Sequence, residues 1–380
     1  MTLVVGLLMT ACGSLSPPAH ATYTLGHFPQ VPTGSFSQST TRALQAVLDD
    51  FGNRFVLPGI TATVLAADGE AWSGATGTAD GVHPVEVRSQ FGIASLTKTV
   101  IAAEVMRLSE KGLLRLSDPV SKHLPSSFHF DTNGATIENL LHMESGIPDP
   151  ALIFTPAVEV DPLRDWKVRE VLATVPEYRW KPGDHFVYGA SNYMLLSLVI
   201  EATTGTSVAA ALRAHVLADP RLSSIVYQPA ERPKGPLALP FIQGKLRPNI
   251  LEVGGGYLPT KAEVSFANGS GCMASDSGAL ALWGYLLFGG KLVSEQTLLA
   301  MTDFGTGSYG LGVFNQTKDG AWRGAGQAIG NAGEEDGGYS SVLAVLPSKG
   351  IVISVLTNLA GDPKSLVFPV AEALASALQR

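Results

Sequence analysis

Ile60-Thr61-Ala62-Thr63-Val64-Leu65-Ala66 is a short apolar run rich in β-branched residues, and Glu70-Ala71-Trp72-Ser73 follows it across Asp68-Gly69. An Asp-Gly pair between two such runs predicts a β-hairpin. The far end of the chain repeats the pattern with an apolar run at 342–346, a turn at 347–350 and a second run at 351–356. A helical stretch over 370–378 closes the sequence. Between the two ends, apolar positions recur at helical spacing, most clearly over 96–108, 192–203 and 279–288. Strands at both ends with helices between them predict an α/β (α+β) fold. Its antiparallel sheet would be built from both chain ends and flanked by helices, with an inserted, mainly helical lobe. A ligand cleft belongs between sheet and lobe.

The first residues read as an address. Residues 2–11 are uncharged and largely apolar, far short of the roughly 20 that span a bilayer. No Lys or Arg precedes this run. It ends in Leu8-Met9-Thr10-Ala11-Cys12-Gly13, which resembles a bacterial lipoprotein cleavage box with Cys12 as the lipidated first mature residue. Residues 14–41 are rich in Ser, Thr, Pro and Gly and suit a flexible tether. The expected division is a signal-like segment at 1–11, a lipidated cysteine and tether at 12–41, and one continuous body at 42–380. The expected location is the bacterial cell membrane, lipid-anchored and facing outside the cytoplasm.

Composition narrows the function classes. Of 380 residues, 45% are hydrophobic and 16% charged, which excludes a disordered chain. A net charge of −7 without a long basic block argues against a nucleic-acid partner. Two cysteines exclude a disulfide framework and a Cys-rich metal site. No His-Glu-x-x-His pair occurs, so no metal and no cofactor is implied. Gly305-Thr306-Gly307-Ser308-Tyr309-Gly310 fits a dinucleotide fingerprint by spacing, but a strand-like run follows it where a helix is required, so it reads as a loop. No serine has glycine at both −2 and +2, so there is no nucleophile elbow.

The candidate chemistry is Phe91-Gly92-Ile93-Ala94-Ser95-Leu96-Thr97-Lys98 at the start of a long helical pattern. Residues i and i+3 share a helical face, so Lys98 lies over Ser95. A helix N-terminus favours a developing alkoxide or oxyanion, and a lysine withdrawn from water can take a serine proton without any histidine. The plain alternative is a serine cap beside a solvated lysine.

The surroundings weigh for chemistry. Lys111-Gly112-Leu113-Leu114-Arg115-Leu116-Ser117-Asp118-Pro119-Val120 and Leu140-Leu141-His142-Met143-Glu144-Ser145-Gly146-Ile147-Pro148-Asp149 follow in order. Lys181-Pro182-Gly183-Asp184-His185-Phe186-Val187-Tyr188, Tyr309-Gly310-Leu311-Gly312-Val313, Gly338-Tyr339-Ser340-Ser341 and Leu356-Thr357-Asn358 complete the set. Together they resemble the serine β-lactamase/penicillin-binding-protein superfamily. Within it they are similar to the class C β-lactamase, D-alanyl-D-alanine carboxypeptidase and β-lactamase-like esterase group, over about residues 42–380. The resemblance implies Ser95 as nucleophile, Lys98 as its partner and Tyr188 as the tyrosine of the Tyr-x-Asn motif. It also implies an oxyanion hole from the backbone N–H groups of Ser95 and Glu334.

Two positions depart from the family pattern. The motif asparagine falls on Ala190, and the third motif, Lys-Thr-Gly or His-x-Gly, aligns with Asn331-Ala332-Gly333, followed by Glu334-Glu335-Asp336. Asn331 and Gly333 are the expected substrate-binding pair, with an uncharged side chain where relatives hold a carboxylate. His142 and His185 read as structural, and Asn192 is not the missing motif residue. The implied function is a cell-envelope serine hydrolase acting through a Ser-x-x-Lys acyl-enzyme on an ester, amide or D-amino-acid peptide, and a weak β-lactamase at best. The substrate is a small molecule or a cell-wall peptide. The alternative is a non-catalytic envelope lipoprotein that binds peptidoglycan or a protein partner.

Overall fold

The Asp68-Gly69 turn joins two strands, Ile60–Ala66 and Glu70–Thr76, with Gly69 at φ +104°, a left-handed conformation that favours glycine. The second hairpin pairs Tyr339–Leu346 with Ile351–Thr357 in full antiparallel register, from Ser340 opposite Thr357 to Leu346 opposite Ile351. Ile351–Thr357 also pairs with Ile60–Ala66, so the two ends of the chain are stitched into one sheet. Its seven strands run in the order Gly34–Ser35, Glu70–Thr76, Ile60–Ala66, Ile351–Thr357, Tyr339–Leu346, Ile329–Glu335 and Phe314–Asn315. All neighbours are antiparallel except the parallel pair at the Gly34 edge. The computed structural model describes residues 25–378 apart from 56–57, 126, 155–156, 178, 248–252, 306, 320–321 and 323–325.

The sheet is covered on both faces, which is why its central strands are buried along their whole length, Thr61, Thr63, Ser340, Ser341 and Ser354 included. Ile60, Ala62, Val64, Val342, Ala344 and Leu346 point into one core. There they pack with the terminal helices Gln38–Arg54 and Val367–Ala377. Leu65, Leu343 and Val345 point into the other, beneath Ser277–Phe288, a helix apolar all round because it is buried all round. The inserted lobe is organised by two buried helices, Thr97–Glu110 and Ala190–Thr204. Among the described residues, no single helix is long and apolar enough to cross a membrane.

The sequence-derived boundary of the tether moves. Phe28 is buried with its ring edge-on to Tyr285 at 5.0 Å, and the Tyr285 hydroxyl donates to the Gln30 carbonyl at 2.7 Å. Gly34–Ser35 joins the sheet, and the helix Gln38–Arg54 starts inside the segment read as tether, capped by Ser37. One aromatic anchor and one serine cap order a stretch whose composition suggests a linker. Cys12 and the segment 1–11 lie outside the described residues.

Candidate active site

Ser95 sits in a 3-10 turn, Ala94–Leu96, that leads directly into the helix Thr97–Glu110. Ala94 before it has φ +46°, a strained value for a residue with a side chain. Lys98 follows one turn later and is 3% exposed. Its Nζ donates to Ser95 Oγ at 2.8 Å and to the Ser270 carbonyl at 2.6 Å, so the side-chain nitrogen is held against the Ser95 hydroxyl. Tyr188 closes the third side, with Lys98 Nζ 4.9 Å from its ring centroid. The Tyr188 ring is held by Tyr309, edge-on at 6.1 Å, and by Phe314, stacked at 5.9 Å. Residues far apart in sequence thus meet at one place, and all three expected catalytic side chains line one cleft of about 890 Å³.

The strand Ile329–Glu335 forms the opposite wall. Its outer neighbour, Phe314–Asn315, covers only Ile329 and Gly330, so from Asn331 onward that edge has no strand partner among the described residues. Gly333 runs beside the Ser95 turn: a Cβ there would stand 2.3 Å from the Ile93 carbonyl oxygen and 3.0 Å from Ala94 Cβ. Ser341 Oγ donates to the same Ile93 carbonyl at 3.0 Å, tying the strand pair to the turn. Glu334 lies on the cleft wall with its side chain exposed.

Asn331 is elsewhere. Its side chain is fully buried and does not line the cleft. Nδ2 donates to Thr99 Oγ1 and to the Gly312 carbonyl, both at 3.2 Å, and Oδ1 accepts from the Ala332 N–H at 2.8 Å. The expected direct contact of its side chain with substrate is therefore corrected. The amide braces the strand against the helix bearing Lys98, and the motif position alone could not reveal which way the side chain turns. Gly312, of the Tyr309–Val313 motif, packs so tightly there that a Cβ would stand 2.3 Å from Ala102 Cβ.

Ala190 leaves a gap that the sequence motifs do not fill. Asp149, the last residue of the Leu140–Asp149 motif, reaches into the cleft beside it. Its Oδ1 accepts from the Ala190 N–H at 2.5 Å and more weakly from the Ser191 N–H at 3.4 Å, capping the helix Ala190–Thr204. Burial pushes the carboxyl up, while the two N–H groups and the Lys98 charge oppose that rise. The motif gave a signal, an aspartate at the end of a matched block, but not its direction. Asn192 is buried and accepts from Ser145 Oγ at 2.6 Å, a packing role.

The electrostatics of the far wall are acidic. Burial pushes the Glu335 carboxyl up to about 8, with Glu263 and Asp336 adding and Arg247 and Lys98 opposing. Arg247 is spent on Glu263, whose two oxygens it contacts at 2.9 Å each. Apolar side chains supply the remaining wall: Val158, Phe186, Ile242, Phe266, Phe314 and Phe368. His142 and His185 do not line it. Residues 305–310 form turns and one bridge, Tyr309 with Phe314, rather than a strand-to-helix cradle; Thr306 lies outside the described residues. No group of three or more His, Cys, Asp or Glu that could hold a metal occurs among the described residues.

Comparison with known proteins places the chain in a family and a fold. The sequence pattern of the family described as Beta-lactamase matches residues 44–375. Penicillin-binding protein 4* of Bacillus subtilis (strain 168) is 31% identical over 183 residues, 45% of this chain and 38% of its own length. Protein flp of Staphylococcus aureus (strain MW2) is 32% identical over 133 residues, 34% of this chain and 26% of its own. These matches span well under half the length of either relative. Among solved structures, D-amino acid amidase from Ochrobactrum anthropi SV3, complexed with L-phenylalanine, superposes with a TM-score of 0.75 at 21% identity, covering 90% of this chain and 99% of that one. The octameric penicillin-binding protein homologue from Pyrococcus abyssi gives 0.70 at 24% identity, covering 89% and 77%.

Proposed function

This chain is a member of the Beta-lactamase family, and from that premise we propose that it is a serine hydrolase that forms an acyl-enzyme on Ser95. The observation that carries the reading is the buried Lys98 Nζ held 2.8 Å from Ser95 Oγ, with Tyr188 over the pair. Ser95 Oγ attacks the carbonyl carbon of an ester or amide, and its proton passes to the lone pair of the Lys98 amine, which carries it as an ammonium until the leaving group departs. The oxyanion is met by the N–H groups of Ser95 and Glu334. As the carbonyl reforms, the bond to the leaving alcohol or amine breaks, and Tyr188 relays the proton to that group. Water then attacks the Ser95 ester by the same route reversed, releasing the acid and restoring the hydroxyl.

The apolar wall with Phe186 and Phe314 favours an acyl donor with a hydrophobic body, and the acidic wall disfavours a free carboxylate. Neutral esters and amides, and D-amino-acid peptides with masked termini, fit better than β-lactams. We place the activity at the cell envelope on the strength of Cys12. Intact-mass measurement with a fluorophosphonate, followed by a panel of short and aromatic esters, tests the reading. A single adduct on Ser95 with ester turnover supports it. A chain that neither labels nor turns over any ester would be a binding protein instead.

A further inference from the structure

Tyr188 is 40% exposed at the lip of the cleft, and no hydrogen bond reaches its hydroxyl among the described residues. Ala190 beyond it has only a methyl group and offers none. An exposed side chain flips freely between rotamers unless its neighbours hold it. Here the neighbours are rings. Phe314 stacks on Tyr188 at 5.9 Å with 30° between the planes, and Tyr309 meets it edge-on at 6.1 Å. Tyr309 also packs on Phe314 at 4.5 Å and on Phe186 at 5.6 Å, so it meets every other ring of the cluster. These separations fall in the range of roughly 4.5–7 Å that aromatic pairs favour.

Tyr309 is itself fixed from beneath. It is buried, and its hydroxyl donates to Tyr193 Oη at 3.2 Å. Tyr193, fully buried on the helix Ala190–Thr204, donates in turn to the Leu141 carbonyl at 3.2 Å. A chain of contacts thus runs from buried backbone through two hydroxyls to the ring that meets Tyr188, whose other neighbour in the cleft is Lys98 Nζ, 4.9 Å from its centroid.

We infer that Tyr309 and Phe314 are positioning residues that hold the Tyr188 phenol at the Ser95–Lys98 pair, so that proton transfer in this hydrolase depends on an aromatic clamp rather than on a hydrogen bond to the phenol. The inference rests on the acyl-enzyme reading, in which Tyr188 passes a proton to the leaving group. Neither Tyr309 nor Phe314 carries a proton in that scheme; each acts through the Tyr188 ring. A reacting group displaced by about 1 Å loses about 10²-fold in rate, so loosening the clamp is felt in turnover more than in binding. Plain packing makes a different prediction. It would slow the enzyme by the same factor whether or not the Tyr188 hydroxyl is present.

A double-mutant cycle on hydrolysis of ethyl butyrate, whose alkoxide must take up a proton to leave, tests the clamp. Tyr309→Leu and Phe314→Leu should each lower kcat by about 10-fold or more, with KM changing less than about two-fold. In a Tyr188→Phe background each should have little further effect, within about two-fold, because the group they position is gone. Tyr309→Phe keeps the ring, and Tyr193 still donates to the Leu141 carbonyl, so its kcat should stay within about three-fold of wild type. Equal slowing in both backgrounds, wild-type kcat in the leucine variants, or a Tyr309→Phe variant as slow as Tyr309→Leu overturns the inference. If Tyr309→Leu does not fold, the Phe314→Leu cycle decides. The two readings fail differently. No turnover by wild type, or a Tyr188→Phe variant as fast as wild type, removes the hydrolase role given to Tyr188 and the clamp with it. A slow Tyr188→Phe variant with additive leucine effects removes the clamp alone.

Discussion

Gly333 passes the Ile93 carbonyl so closely that a methyl group on it would stand 2.3 Å from the oxygen. The strand that supplies one wall of the cleft and the turn that presents Ser95 are therefore fitted to each other through a missing side chain. Gly333→Ala should push the strand away from Ser95 and lower the acylation rate by about 10²-fold, the scale of a lost or displaced oxyanion donor. Stopped-flow acylation with an activated ester measures it. A rate within a few-fold of wild type would show that the wall relaxes without disturbing the turn.

Ser95→Ala should abolish the fluorophosphonate adduct outright. Lys98→Ala and Tyr188→Phe should each slow acylation by about 10²-fold or more, as for a lost general base. An adduct that persists without Ser95 would move the nucleophile elsewhere.

The fold was legible because its strongest signals are local. Asp68-Gly69 and the runs around it announce a hairpin, and both hairpins form. The convergence of Ser95, Lys98 and Tyr188 in one cleft was legible through motif context. What was not legible depends on direction and on single anchors. Asn331 occupies the expected strand position, but its amide turns to Thr99 and Gly312, a choice set by tertiary partners. Phe28 docks a segment whose composition resembles a tether, because one buried aromatic outweighs many small polar residues. Asp149 escaped notice because its partner is the backbone of a helix forty residues away in sequence, at Ala190.

Glu335 should make stability fall with rising pH. Its carboxyl is held up to about 8 in the folded protein, above its unfolded value. A raised carboxyl contributes its stabilisation fully below the unfolded pKa and loses it as pH climbs through the folded one. The window is therefore from the ordinary carboxylate range to about pH 8. A tenfold change in proton affinity is worth about 1.4 kcal/mol, and cleft water screening the charge reduces the total, so we expect a loss of about 1–2 kcal/mol across the window. Urea unfolding of wild type and Glu335→Gln between about pH 5 and 8.5 measures it. The glutamine variant should show a flatter profile, and identical slopes would remove Glu335 as the cause.

Cys12, which we propose as a lipid attachment site, has a direct test. A diacylated N-terminus holds a protein on a membrane far better than a single chain does. Expressed in a bacterial host with an intact lipoprotein pathway, the wild type should fractionate with membranes and incorporate labelled palmitate. Cys12→Ala should do neither. Equal soluble release of both proteins would reject the anchor.

Asn331 yields the prediction that separates structure from motif most sharply. If it bound substrate, removing its side chain would alter selectivity between neutral and anionic esters. The buried amide instead makes three hydrogen bonds within the protein, to Thr99, Gly312 and the Ala332 N–H. Asn331→Ala takes the side-chain acceptor from the Ala332 N–H, leaves the Gly312 carbonyl with Thr99 Oγ1 as its remaining donor, and opens a small void behind the strand. Buried groups left unpaired in this way cost about 1–3 kcal/mol in total stability. Chemical denaturation should show that loss, while the ratio of kcat/KM for a neutral ester to that for its carboxylate analogue stays within about two-fold. Asn331→Asp should be worse, since it replaces the donor facing the Gly312 carbonyl with an oxygen and buries a charge without a cation. A change in the substrate ratio without a change in stability would put the side chain in the cleft after all, and the strand would have to turn over on binding to bring it there.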